Sequence, residues 1–79
     1  MKKKPDYLKD GLLEFLKGGP RNLDECVEEG AKVLQRNGYK GSFQSDDFRL
    51  RVFEKLSQLT AVGYLTKDRS VKPPVFQAN

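Results

Sequence analysis

The sequence predicts a small α+β domain, mostly helical: a three-helix core followed by a C-terminal β-hairpin. Three observations point there. Leu8, Leu12, Phe15 and Leu16 fall at i, i+4, i+7 and i+8, and Phe48, Val52, Leu56 and Leu59 at i, i+4, i+8 and i+11. Each set occupies one face of a helix with a period of about 3.6 residues. Cap and breaker residues divide the chain up to Gly63 into three such segments. After Gly63 the pattern changes to two short extended stretches around a polar turn.

The first helix is expected from about Pro5 to Lys17, with Pro at the first helical position and Asp6 at the positive end of the dipole. Gly18-Gly19-Pro20 stops it. Asn22 caps a second helix whose inner stripe is Leu23, Cys26, Val27, Gly30, Ala31 and Leu34. Gly30 and Ala31 are small enough to admit another backbone at close range. Cys26 reads as buried filler, with no basic partner placed to activate it. Asn37-Gly38 ends this helix. Tyr39 to Gln44 is a connection whose aromatics, Tyr39 and Phe43, fold back on the core. Ser45 caps the third helix, with Asp46 and Asp47 in its first turn. Leu50 and Phe53 widen its apolar stripe, as expected of a central helix packed from two sides. Tyr64-Leu65-Thr66 reads as a strand, Lys67 to Ser70 as a turn, and Val71 to Phe76 as a returning strand. Pro73-Pro74 assigns that strand to a sheet edge, because neither proline can donate to a ladder.

The 79 residues suit one domain, 1–79, with 1–5 as a basic tail. Composition removes several chemistries. There is no His, so no His-based acid–base catalysis and no His-ligated metal; one Cys makes neither a disulfide framework nor a thiolate zinc site. No phosphate-binding glycine loop and no nucleophile–base pair is present, so neither an enzyme nor a cofactor or small-molecule substrate is expected. The acidic run Asp24-Glu25…Glu28-Glu29 complements a helix dipole rather than holding a cation. No apolar run is long enough to span a membrane and no signal peptide is visible, so the expected setting is cytoplasmic or nucleoid-associated.

The net charge of +4 is unevenly spread. Residues 49–79 hold six basic and two acidic side chains, while residues 21–48 hold four basic and six acidic. Such segregation is the electrostatic footprint of a polyanion-binding surface, and equally that of a mildly cationic solvated surface.

The run Leu56-x-x-Leu59-x-x-x-Gly63-Tyr64-Leu65 resembles the pattern that closes the recognition helix and enters the wing in winged helix-turn-helix proteins. The order helix, helix, helix, hairpin over residues 6–76 is similar to that superfamily as well. The second helix, the connection after it and Pro73-Pro74 depart from its usual form. The resemblance implies a DNA-binding protein, a transcriptional regulator or DNA-associated accessory factor, that presents the third helix to the major groove of double-stranded DNA beside a basic wing. On the third helix Arg51, Lys55 and Gln58 share a polar sector with Asp47 and Glu54. Arg pairs bidentately with guanine and Gln with adenine, so Arg51 and Gln58 are candidate base readers and Lys55 a phosphate contact. The same sector also reads as an ordinary wet face, because carboxylates repel phosphate. Arg49 either snorkels or reaches phosphate. Lys67, Arg69, Ser70 and Lys72 are the candidate wing contacts, and Lys2-Lys3-Lys4 a candidate arm. A module for protein–protein contact or homodimerisation is the alternative, motivated by the broad apolar stripe and the acidic second helix. RNA association rests on net charge alone.

Overall fold

In the computed structural model, which describes residues 6–40, 43 and 45–79, the element order is α1 (Tyr7–Lys17), β1 (Arg21–Asn22), α2 (Leu23–Arg36), α3 (Asp46–Ala61), β2 (Leu65–Asp68) and β3 (Val75–Ala78). The chain is therefore α+β and mostly helical, with three helices and a three-stranded antiparallel sheet. Pro5, Lys2-Lys3-Lys4 and positions 41, 42 and 44 of the connection lie outside the described residues.

Each helix begins where a side chain satisfies the backbone donors of the first turn. Asp6 accepts from Lys9 N at 3.0 Å and Ser45 from Phe48 N at 3.2 Å. Asn22 and Glu25 form a reciprocal capping box, Glu25 N to Asn22 Oδ1 at 2.9 Å and Asn22 N to Glu25 Oε1 at 3.1 Å. The last two helices end alike. Gly63, at φ 94°, lets Tyr64 N reach Leu59 O at 2.9 Å. Gly38, at φ 84°, lets Tyr39 N reach Leu34 O at 3.0 Å. This is the double-bonded stop that a positive φ makes possible, so glycine is required at both positions.

The core forms where the three amphipathic faces meet the sheet. Leu8, Leu12 and Leu16 come from α1, Cys26, Val33 and Leu34 from α2, and Phe48, Val52, Leu56 and Leu59 from α3; Leu65 and Phe76 close it from the strands. Phe15, expected on the inner face of α1, is only half-buried. It lies beneath the Arg21 guanidinium, 5.0 Å from the ring centre. Gly30 does not meet a backbone, as its size suggested. A Cβ there would stand 3.0 Å from Leu8 Cδ1, a side chain. The tight approach is elsewhere: a Cβ on Gly11 would lie 2.6 Å from Val33 Cγ2, so α1 and α2 are in contact through a glycine. Phe43 packs edge-on against Phe48 with centroids 5.2 Å apart, whereas Tyr39 stays 42% exposed and meets Tyr7 edge-on at 6.3 Å.

The sheet corrects two expectations. Its order is β1-β3-β2, so the C-terminal strand is the central one and not an edge. The returning strand occupies Val75–Ala78 rather than 71–76, because pairing begins only after Pro73-Pro74, which supply no donor. Asp68 pairs with Val75, which leaves Arg69 to Pro74 as the connecting loop. On its other side β3 pairs with Arg21–Asn22, a two-residue strand absent from the expected elements.

Candidate nucleic-acid interface

Helix α3 buries Phe48, Val52, Leu56 and Leu59 and turns its opposite side to solvent. That outer side does not have the expected composition. Leu50 is 55% and Phe53 37% exposed, so the helix is packed from one side, not two. Leu50 sits across the helix from the buried row, and Phe53 lies at the edge of the outer side, where the hairpin's Lys67 approaches its ring. Leu50, Ser57 and Ala61 run along the outermost line, with Glu54 and Phe53 beside it.

The expected contact residues fall into three groups. Arg51, Lys55 and Gln58 face the start of α1 and line, with Asp6 and Tyr39, an open cleft of about 390 Å³. Arg51 and Gln58 are exposed. Lys55 is held: its Nζ donates to Asp6 Oδ2 at 2.7 Å. Partial burial raises the pKa of the Asp6 carboxyl. The hydrogen bonds from Lys55 and from Lys9 N, with the charges of both lysines, more than offset this and hold it below the ordinary carboxylate value.

Arg49 and Lys67 lie on the other flank of α3. Arg49 neither snorkels nor stands free; its guanidinium donates to Asp24 in the first turn of α2. Lys67 is opposite Phe76 in the β2–β3 ladder and shares the face of Leu65, so alternation turns it toward α3. Its ammonium lies 5.4 Å from the Phe53 ring centre and 5.5 Å from that of Phe76. It is a groove residue rather than part of the loop expected to carry it.

Arg69, Ser70 and Lys72 are exposed in the β2–β3 loop. The Ser70 hydroxyl donates to Asp68 Oδ1 at 2.5 Å, and Ser70 N donates to the same oxygen at 2.9 Å. The hydroxyl bond first, then the backbone bond, lower the Asp68 pKa. This closed turn fixes the base of the loop. Among the described residues, Arg51, Arg69 and Lys72 enter no ion pair. Lys67 enters none either but lies over two rings, so of the expected contact residues Arg51, Arg69 and Lys72 are the cations whose charge is available to a partner.

Of the two readings the sequence left for Leu50 and Phe53, packing from two sides and an exposed apolar patch, the structure has them exposed; both lie off the Phe48-Val52-Leu56-Leu59 face. Sequence reasoning did not anticipate the Asp6–Lys55 and Asp24–Arg49 pairs, which join residues 49 and 25 positions apart. Among the described residues no three His, Cys, Asp or Glu side chains converge on a metal-sized site, and no helix is long and apolar enough to cross a membrane. Comparison of the chain with protein-family models, with curated proteins and with solved structures finds no match.

Proposed function

We propose that this chain is a winged-helix DNA-binding module, serving as a small transcriptional regulator or DNA-associated accessory factor. In this reading α3 lies toward the major groove of duplex DNA and the Arg69–Pro74 loop is the wing. One observation carries it. A helix whose outer side is uncovered is joined, through the Gly63 turn, to a hairpin whose loop holds Arg69 and Lys72 without ion-pair partners among the described residues. An exposed helix with free cations on one flank and on an adjoining loop suits a rod of regularly spaced phosphates. Arg51 and Gln58 retain a path to the groove. Lys55 and Arg49 reach phosphate only by exchanging Asp6 and Asp24 for it, and Lys67 and Ser70 act through the shape of the hairpin.

The test is an electrophoretic shift with mixed-sequence duplex DNA across a salt series. Binding at low salt, with Arg69→Ala and Lys72→Ala each flattening the slope of log K against log salt by about 0.9, is the expected result. The absence of any shift at low salt refutes the reading. The 55% exposure of Leu50 favours a second one, a protein-contact module. Sedimentation as a monomer at high concentration counts against self-association.

A further inference from the structure

The outermost line of α3 is the surface that composition explains least. Leu50 is more than half exposed on a helix whose other side is the centre of the core. Seven and four residues separate Leu50, Ser57 and Ala61, so the three stack along the helix axis. The cations stand to either side, Arg51 and Lys55 toward α1, Arg49 and Lys67 toward α2 and the hairpin. Asp46, one turn before Leu50, and Glu54 are the charges closest to the line.

A helix seated in a major groove meets base edges along its outermost line and the two backbones along its flanks. The order found on α3 follows that division in part: Arg51 stands free among the described residues on one flank while Arg49 and Lys55 are paired with Asp24 and Asp6, and the middle has small or apolar groups with two carboxylates, Asp46 and Glu54. A carboxylate is repelled at the rim of a groove, yet at base edges it has a donor to meet in adenine N6 or cytosine N4. Leu50 and Ala61 offer only methyl groups and Ser57 one hydroxyl. The apolar feature that a base pair displays in this groove is the 5-methyl of thymine.

We propose that Leu50, with Ser57 and Ala61 behind it, meets the base edges and selects thymine methyl groups. The inference rests on the DNA-binding reading above. It moves base recognition from Arg51 and Gln58 to the line between the flanks, leaves Arg51 as a backbone contact, and makes A·T-rich duplexes the preferred substrate class.

The experiment titrates the full chain, at low salt, against two duplexes of one alternating A·T sequence, the first with thymine and the second with deoxyuridine. The pair differs by the methyl group alone. The thymine duplex binds tighter, by about fourfold for each methyl buried. Leu50→Ala brings that ratio toward one while the circular dichroism spectrum is unchanged, since the side chain removed is largely outside the core. Equal affinity of the unmodified chain for both duplexes overturns the proposal and leaves DNA binding standing. A ratio that survives Leu50→Ala overturns it too, because duplex shape then carries the preference. Failure to bind either duplex defeats the DNA-binding reading itself. If Leu50→Ala instead dissociates a dimer in sedimentation and leaves the ratio unchanged, the line is a protein interface and the proposal falls.

Discussion

Replacing Asp6 by asparagine separates two jobs that one carboxylate performs. Its Oδ1 caps α1 by accepting from Lys9 N, and its Oδ2 accepts from the Lys55 ammonium at 2.7 Å. Asparagine caps a helix about as well as aspartate, so Asp6→Asn keeps the first job and removes the second. The side chains of Lys55 and Asp6 are 24% and 44% exposed, so water screens the pair and its contribution is about 0.5 kcal/mol. With a urea m-value of about 1 kcal/mol per M for a small domain, the unfolding midpoint at pH 7 falls by about 0.5 M. The sign with pH follows from the lowered pKa of the folded carboxyl. Its contribution is present above the unfolded value of about 3.9 and is lost as pH falls through the lower folded value. The gap between the native chain and Asp6→Asn is therefore larger at pH 7 than at a pH below the unfolded value. A gap of the same size at both pH values refutes the ion-pair account. The variant also frees Lys55. If DNA passes over the cleft beside α1, the salt slope of binding steepens by about 0.9, whereas an unchanged slope places Lys55 off the path of the backbone.

Two further perturbations test the packing. Gly11→Ala puts a Cβ 2.6 Å from Val33 Cγ2 and destabilises the domain by about 1–3 kcal/mol in urea unfolding; pairing it with Val33→Ala recovers part of the loss, and additive losses would mean that the two helices do not meet there. Cys26 is fully buried, and burial first, then the charge of Glu25, push its thiol up to about 12 against a smaller opposing effect of Arg21. Alkylation at about pH 8 is therefore slow in the folded chain and fast in denaturant, and rapid labelling without denaturant would refute the burial. Because the folded value is raised, the stability held by the neutral thiol is complete below the unfolded value of about 8.5 and declines as pH rises toward the folded one.

The helices were legible because their information is local. The Asn22 and Ser45 caps, the glycine stops at Gly38 and Gly63 and the Phe48-Val52-Leu56-Leu59 row each act within a few residues of chain. The strands were legible only in part. That a hairpin follows Gly63 could be read from composition, but Arg21–Asn22 carries no strand pattern, being two residues long and also a helix start. It becomes a strand because α1 and α2 bring it beside β3, which converts a hairpin edge into the centre of a sheet.

The same division holds for the candidate interface. The sequence by itself determined which segment is the third helix, which side of it is buried and that the last third of the chain is cationic, since periodicity and charge are properties of neighbours along the chain. Only the tertiary structure decided which cations are free. Lys55 and Arg49 are engaged by Asp6 and Asp24 across gaps no local pattern reports, and Lys67 is turned inward by its register with Phe76. It also decided that Leu50 and Phe53 face outward, because the side of a helix that stays uncovered depends on how many other elements reach it, and that is fixed by packing at long range.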